Sequence, residues 1–123
     1  MWTFHQATGL LAHNGESVST GYSGFGEGRS NPALQQVPDV GPIPRGLWTI
    51  GAPECVTTVG PHGPFVLPLI PQDGTETYGR SGFLIHGDSP AHAGSASHGC
   101  IVIDRHTREA IAGSHDLVLE VVV

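Results

Sequence analysis

Charge is what this sequence has least of. Only 13% of its 123 residues are Asp, Glu, Lys or Arg, and five basic side chains stand against eleven acidic ones, for a formal net charge of -6. Binding nucleic acid through counterion release needs a concentrated basic surface, so nucleic acid is excluded as a partner. Long hydrophobic runs are missing too. Phe65 to Ile70 and Leu117 to Val123 fall far below the roughly 20 residues that cross a bilayer, so no membrane span is expected. The start, Met1-Trp2-Thr3-Phe4-His5-Gln6, has no basic segment followed by an apolar one, so ordinary signal-peptide export is not encoded. The chain either stays in the cytosol or is moved by another route. Cysteine is scarce, with only Cys55 and Cys100. Two cysteines make no disulfide framework, and two free thiols are expected, Cys55 structural and Cys100 reactive.

Glycine and proline, by contrast, are plentiful: 18 and 10 residues, about 23% of the chain, beside 38% hydrophobic residues. That balance predicts a packed core rich in turns, and the length suits one domain over 1–123. Strand-like segments are expected at Trp2 to Gln6, Leu10 to His13, Ser17 to Ser23, Leu47 to Ile50, Cys55 to Val59, Phe65 to Ile70, Gly82 to His86, Cys100 to Ile103 and Leu117 to Val123, many rich in β-branched or aromatic residues. Asn14-Gly15 is a hairpin signal. Between Gly24 and Gly46 the crowding of glycine and proline forbids a ladder or helix and predicts a long structured loop. One short helix is expected from Arg105 to Ala112, capped by Asp104 and ended by Gly113. The fold class is therefore mainly β.

The chemistry concentrates in Phe83-Leu84-Ile85-His86-Gly87-Asp88 and, after a loop of small residues, Ser97-His98-Gly99-Cys100-Ile101-Val102-Ile103. A thiol becomes a nucleophile when an imidazole takes its proton and backbone amides await the oxyanion. His86 ends one apolar strand and Cys100 begins another, so the intervening loop can bring the strand ends together. Gly99 permits a tight turn that exposes its own amide and that of Cys100.

These residues resemble the L,D-transpeptidase catalytic domain, whose signature is His-Gly followed by [Ser/Thr]-X-Gly-Cys. The resemblance is closest to a compact branch of type VI secretion effectors that target peptidoglycan. It extends to Trp2 to Gln6, Gly21-Tyr22-Ser23-Gly24, Asn31-Pro32 and Gly41-Pro42-Ile43-Pro44-Arg45-Gly46. It implies a compact L,D-transpeptidase-like β-sandwich or barrel in which Cys100 attacks the third residue of a meso-diaminopimelate tetrapeptide stem and expels the terminal D-alanine. An amine acceptor would then give a cross-link or an exchanged D-amino acid, and water would give carboxypeptidase action. His86 is implied as the base, with His98 an open alternative, while Ser97 and His98 shape the pocket. No cofactor is implied. Many members carry an arginine two residues after the cysteine, where this chain has Val102. Recognition of the substrate carboxylate is therefore expected from Arg80, with Arg45 and Arg105 behind it. Gly87, Asp88 and Tyr22 are further substrate-binding candidates, although Tyr22 and Trp48 also suit core packing. The resemblance implies secretion without a signal peptide, action in the periplasm of target bacteria, and an immunity protein and secretion machinery as partners.

Two other classes stay open. His86, His92, His98 and Cys100 could hold zinc in a cell-wall hydrolase, although their spacing fits no familiar zinc pattern. A non-catalytic wall-binding module is the other. Arg105, Arg108 and Glu109 are expected on a solvated helix face.

Overall fold

A computed structural model describes residues 1–54, 65–89, 91 and 93–123. The predicted strand at Cys55 to Val59, and Cys55 itself, lie outside the described residues, as does His92.

Among the described residues, nine strands and one α-helix follow in order: β1 (Trp2–His5), β2 (Leu10–His13), β3 (Glu16–Thr20), β4 (Tyr22–Ser23), β5 (Gly46–Ile50), β6 (Leu67–Pro71), β7 (Leu84–His86), β8 (Ile101–Val102), α1 (Arg105–Gly113) and β9 (Val118–Val122). They form one sheet in the order β3-β2-β1-β9-β5-β6-β7-β8-β4. Most neighbours are antiparallel, but β1 with β9 and β7 with β8 are parallel. The two edge strands, β3 and β4, are separated in sequence by Gly21 alone, so the sheet curls into a nearly closed barrel. Gly21 makes this closure possible. Its N–H donates to the Gly9 carbonyl at 2.8 Å, and a Cβ there would sit 2.1 Å from the Val102 carbonyl oxygen.

The alternation along the strands sorts side chains as expected for a sheet with one covered face. Trp48 and Ile50 of β5, Leu69 of β6, and Leu119 and Val121 of β9 point inward with Trp2, Phe4, Ile85 and Ile101 to form the core. Trp48 is wholly buried, meets Phe83 edge-on with ring centres 5.0 Å apart, and donates from its indole to the Pro44 carbonyl. Tethering the indole to Pro44 also anchors the end of the long loop beside the core.

Asn14 and Gly15 both have positive φ, as a two-residue hairpin between right-twisted strands requires. The segment expected as one strand from Ser17 to Ser23 is two, because Gly21 passes the chain from one sheet edge to the other. The long loop holds two short 3-10 turns, Gly26–Gly28 and Pro32–Leu34, the second capped by the Asn31 side chain. Asp104 caps α1 by accepting from the Thr107 amide. Gly113 is the last helical residue and not the cap beyond it: Ser114 is the C-cap, and His115 after it has φ +57°. Arg108 also departs from the expected solvated face. It is buried, with its guanidinium donating to the Phe65 and Ile103 carbonyls. No helix among the described residues is long and apolar enough to cross a membrane.

Candidate active site

Parallel pairing of β7 with β8 sets the centre of the site. Ile85 lies opposite Ile101 and His86 opposite Val102, which leaves Leu84 beside Cys100. Residues two apart in a strand share a face, so His86 falls on the same side of the sheet as Cys100, one strand over. Both line a cavity of about 320 Å³ together with Arg80, Phe83, His98, Gly99 and Asp39. His86 is buried, and its Nδ1 lies 2.7 Å from the Gly87 carbonyl. Since that oxygen can only accept, Nδ1 carries the proton in the neutral ring and Nε2 is left basic.

Cys100 is half-buried and its thiol donates weakly to the Gly82 carbonyl at 3.7 Å. Burial pushes the thiol pKa up, while the Leu84 backbone amide and the Arg80 charge pull it down, leaving it above the ordinary cysteine value. At neutral pH the resting sulfur is therefore a thiol that needs a base.

Ser97 is fully buried and acts as a pin. Its hydroxyl donates to the Cys100 carbonyl at 2.6 Å and accepts from the amides of Gly24 and Gly99. Ser23 lies below it, donating to the Gly99 carbonyl and accepting from the Ile43 amide. Gly99 has φ +132°, and a Cβ there would stand 2.4 Å from Arg80 Nη2. Only glycine meets both conditions. His98 is exposed, stacks on Phe25 and directs Nδ1 at the Asp39 carbonyl.

Arg80 sits beneath the cavity, 8% exposed. Nη1 donates to the Gln35 and Pro42 carbonyls, and Nη2 to those of Gly41 and His98. This fork ties the long loop to the nucleophile turn, so Arg80 contributes a fixed positive charge and holds the cavity wall. Arg45 is exposed and donates to the Gln35 side chain, whereas Arg105 pairs with Glu109 on α1, away from the cavity lining.

Tyr22 and Asp88 meet each other outside that cavity. The Tyr22 hydroxyl donates to Asp88 at 2.7 Å and accepts from the Ala96 amide. Asp88 also accepts from the Ser89 and Gly94 amides, while Arg29 lies over the Tyr22 ring and donates to the Gly94 carbonyl. Burial raises the Asp88 pKa, but the hydrogen bonds from Tyr22, Gly94 and Ser89 and the Arg29 charge outweigh it and hold the carboxyl below its ordinary value. For Tyr22, burial and the Asp88 bond push the phenol up. The two clasp the loop between His86 and Cys100. Gly87 packs on the Arg108 guanidinium, where a Cβ would stand 2.9 Å from Nη1.

The geometry is that of a buried histidine and a thiol sharing a cavity in a small β-barrel. The family model of the Tlde1 domain matches residues 17–122. The chain belongs to the Tlde1 domain family. This membership makes it a type VI secretion effector domain. No curated protein matches the chain. Within this Tlde1 domain no three His, Cys, Asp or Glu side chains converge as a metal site among the described residues. His98 and Cys100 of the proposed zinc set are instead turned to Asp39 and Gly82. Asp39 and Arg29 carry no signal in the sequence, Ser23 appears there only within Gly21-Tyr22-Ser23-Gly24, and Arg108 only on the expected solvated face; tertiary contacts alone reveal their parts in the site.

Proposed function

We propose that this domain is a cysteine acyl-transferase acting on peptidoglycan stem peptides in the periplasm of target bacteria. The observation that carries the reading is the shared cavity of Cys100 and His86, with His86 oriented by the Gly87 carbonyl so that Nε2 is the basic nitrogen. In the proposed reaction His86 Nε2 takes the proton from Cys100 as sulfur attacks the carbonyl carbon of the third stem residue. The tetrahedral oxyanion is met by backbone N–H at the nucleophile turn, where the Cys100 amide is the candidate because the Gly99 amide already donates to Ser97. Collapse breaks the peptide C–N bond, and His86 returns its proton to the departing D-alanine amine. A thioester remains. Water or an amine, deprotonated by His86, attacks it and releases the sulfur, giving a tripeptide or an exchanged or cross-linked stem.

Arg80 supports thiolate formation through its charge near Cys100. The effector family supports a producing cell that protects its own periplasm with an immunity protein.

Mass spectrometry of disaccharide-tetrapeptide incubated with wild type, Cys100→Ala and His86→Ala, with and without an added D-amino acid, tests the reading. Wild type should remove or exchange the terminal D-alanine, and either substitution should lower turnover by at least about a hundredfold. Turnover that survives Cys100→Ala, or that depends on stoichiometric zinc, would overturn it. Binding to sacculi without turnover by wild type would point to a wall-binding module.

A further inference from the structure

Besides the nucleophile and base, three side chains lining the cavity can carry charge: Arg80, His98 and Asp39. Both Nη atoms of Arg80 are engaged by backbone carbonyls. His98 is held between the Phe25 ring and the Asp39 carbonyl. Asp39 differs. Its side chain is exposed on the cavity wall, and among the described residues none donates a hydrogen bond to its carboxylate.

The backbone at Asp39 is nonetheless fixed. Its φ is +61°, its carbonyl accepts from His98, and the next residue's carbonyl accepts from the Phe25 amide at 2.9 Å. A carboxylate held on a fixed backbone in the wall of a cavity, close enough to Arg80 to interact with its charge but accepting no hydrogen bond among the described residues, attracts a cation that can donate hydrogen bonds. Resting on the acyl-transfer reading, the geometry points to Asp39 as the specificity residue that binds an ammonium group on the side chain of the donor's third residue. The attacking amine is a poorer occupant. An amine paired with a carboxylate is held protonated, and a protonated amine cannot attack a thioester.

The measurement uses two disaccharide-tetrapeptides whose third residues are meso-diaminopimelate and 2-aminopimelate; the second keeps the length and distal carboxylate and lacks only the ammonium. Wild type should favour the first by roughly fivefold in kcat/KM, expressed in KM, in keeping with a partly solvated ion pair. Asp39→Asn should bring the ratio close to one without lowering turnover of the 2-aminopimelate peptide. Asparagine tolerates the left-handed backbone as aspartate does, so the variant is expected to fold. Asp39→Glu should restore part of the preference. An unchanged ratio in Asp39→Asn would overturn the inference while leaving acyl transfer standing. An effect of Asp39→Asn confined to exchange with an added D-amino acid, with hydrolysis of both peptides unaltered, would move Asp39 to the acceptor and overturn the donor assignment. No turnover of either peptide by wild type would overturn the acyl-transfer reading and this inference with it.

Discussion

At the scale of single residues, the site depends on side chains that never need to touch substrate. All five basic residues are arginines, and two of them, Arg80 and Arg108, are buried among backbone carbonyls. A planar fork with several fixed donors can satisfy carbonyls from two loops at once, which a lysine ammonium does less well. Ser97 does comparable work without charge. Replacing it with alanine removes one donor and one acceptor serving three backbone groups, and it leaves the Cys100 carbonyl and the Gly24 and Gly99 amides without that partner. Losing such buried partners costs about 1–3 kcal/mol. Ser97→Ala should therefore unfold at lower urea with an unaltered slope, by about 2 kcal/mol, and should turn over more slowly because the nucleophile turn loosens. An unchanged unfolding midpoint would show that the turn holds its shape without the hydroxyl.

At the scale of elements, the loop from Gly87 to Ala96 sets the spacing between base and nucleophile, and the Tyr22–Asp88 pair fastens that loop to β4. Tyr22→Phe keeps the ring beneath Arg29 and deletes only the hydroxyl that links Asp88 to the Ala96 amide. Stability should fall by only about 1 kcal/mol, whereas kcat should drop by about tenfold, since small misplacements of reacting groups are expensive. KM should stay within about twofold of wild type. Steady-state kinetics beside thermal unfolding separates the two effects, and a change in KM alone would return Tyr22 to a substrate-binding role. The sequence made the two halves of this site legible, because His86-Gly87 and Ser97-His98-Gly99-Cys100 are contiguous runs with distinctive residue types. It also made most strands of the described residues, the Asn14-Gly15 hairpin and the Asp104 cap legible, since each follows from local backbone preference. The clasp was not legible. Tyr22 and Asp88 are 66 residues apart, and nothing in either neighbourhood marks a partner. Arg108 was misread for a related reason: helical spacing places it beside Arg105, but its burial follows from the approach of Gly87 and Phe65.

At the scale of the whole molecule, the barrel is fastened at more than one place, and each closure has its own chemistry. One is steric, at Gly21, between β3 and β4. Another is electrostatic. Asp116, between α1 and β9, accepts from the Met1 ammonium at 2.5 Å and from His13 at 2.9 Å, fastening the β1–β2 hairpin to the segment that leads into the last strand. Trp2 stacks on His13 with ring centres 4.0 Å apart and donates to Ser114, so the ionic contact lies against an aromatic wall. The Met1 ammonium and His13 together lower the Asp116 pKa to about 2. A carboxyl whose folded pKa lies below its unfolded value of roughly 4 adds stability above that value. The contribution is lost as pH falls toward the folded pKa. The difference in melting temperature between wild type and Asp116→Asn should thus be largest near pH 6, begin to shrink below about pH 4 and be nearly gone at about pH 2. Comparing the two proteins, not following wild type alone, isolates this group, because Asp88 and Asp104 also have lowered pKa values and titrate with it. A difference that stays constant from pH 6 to pH 2 would mean that Asp116 holds the hairpin through hydrogen-bond geometry alone and that its charge contributes nothing to closing the barrel.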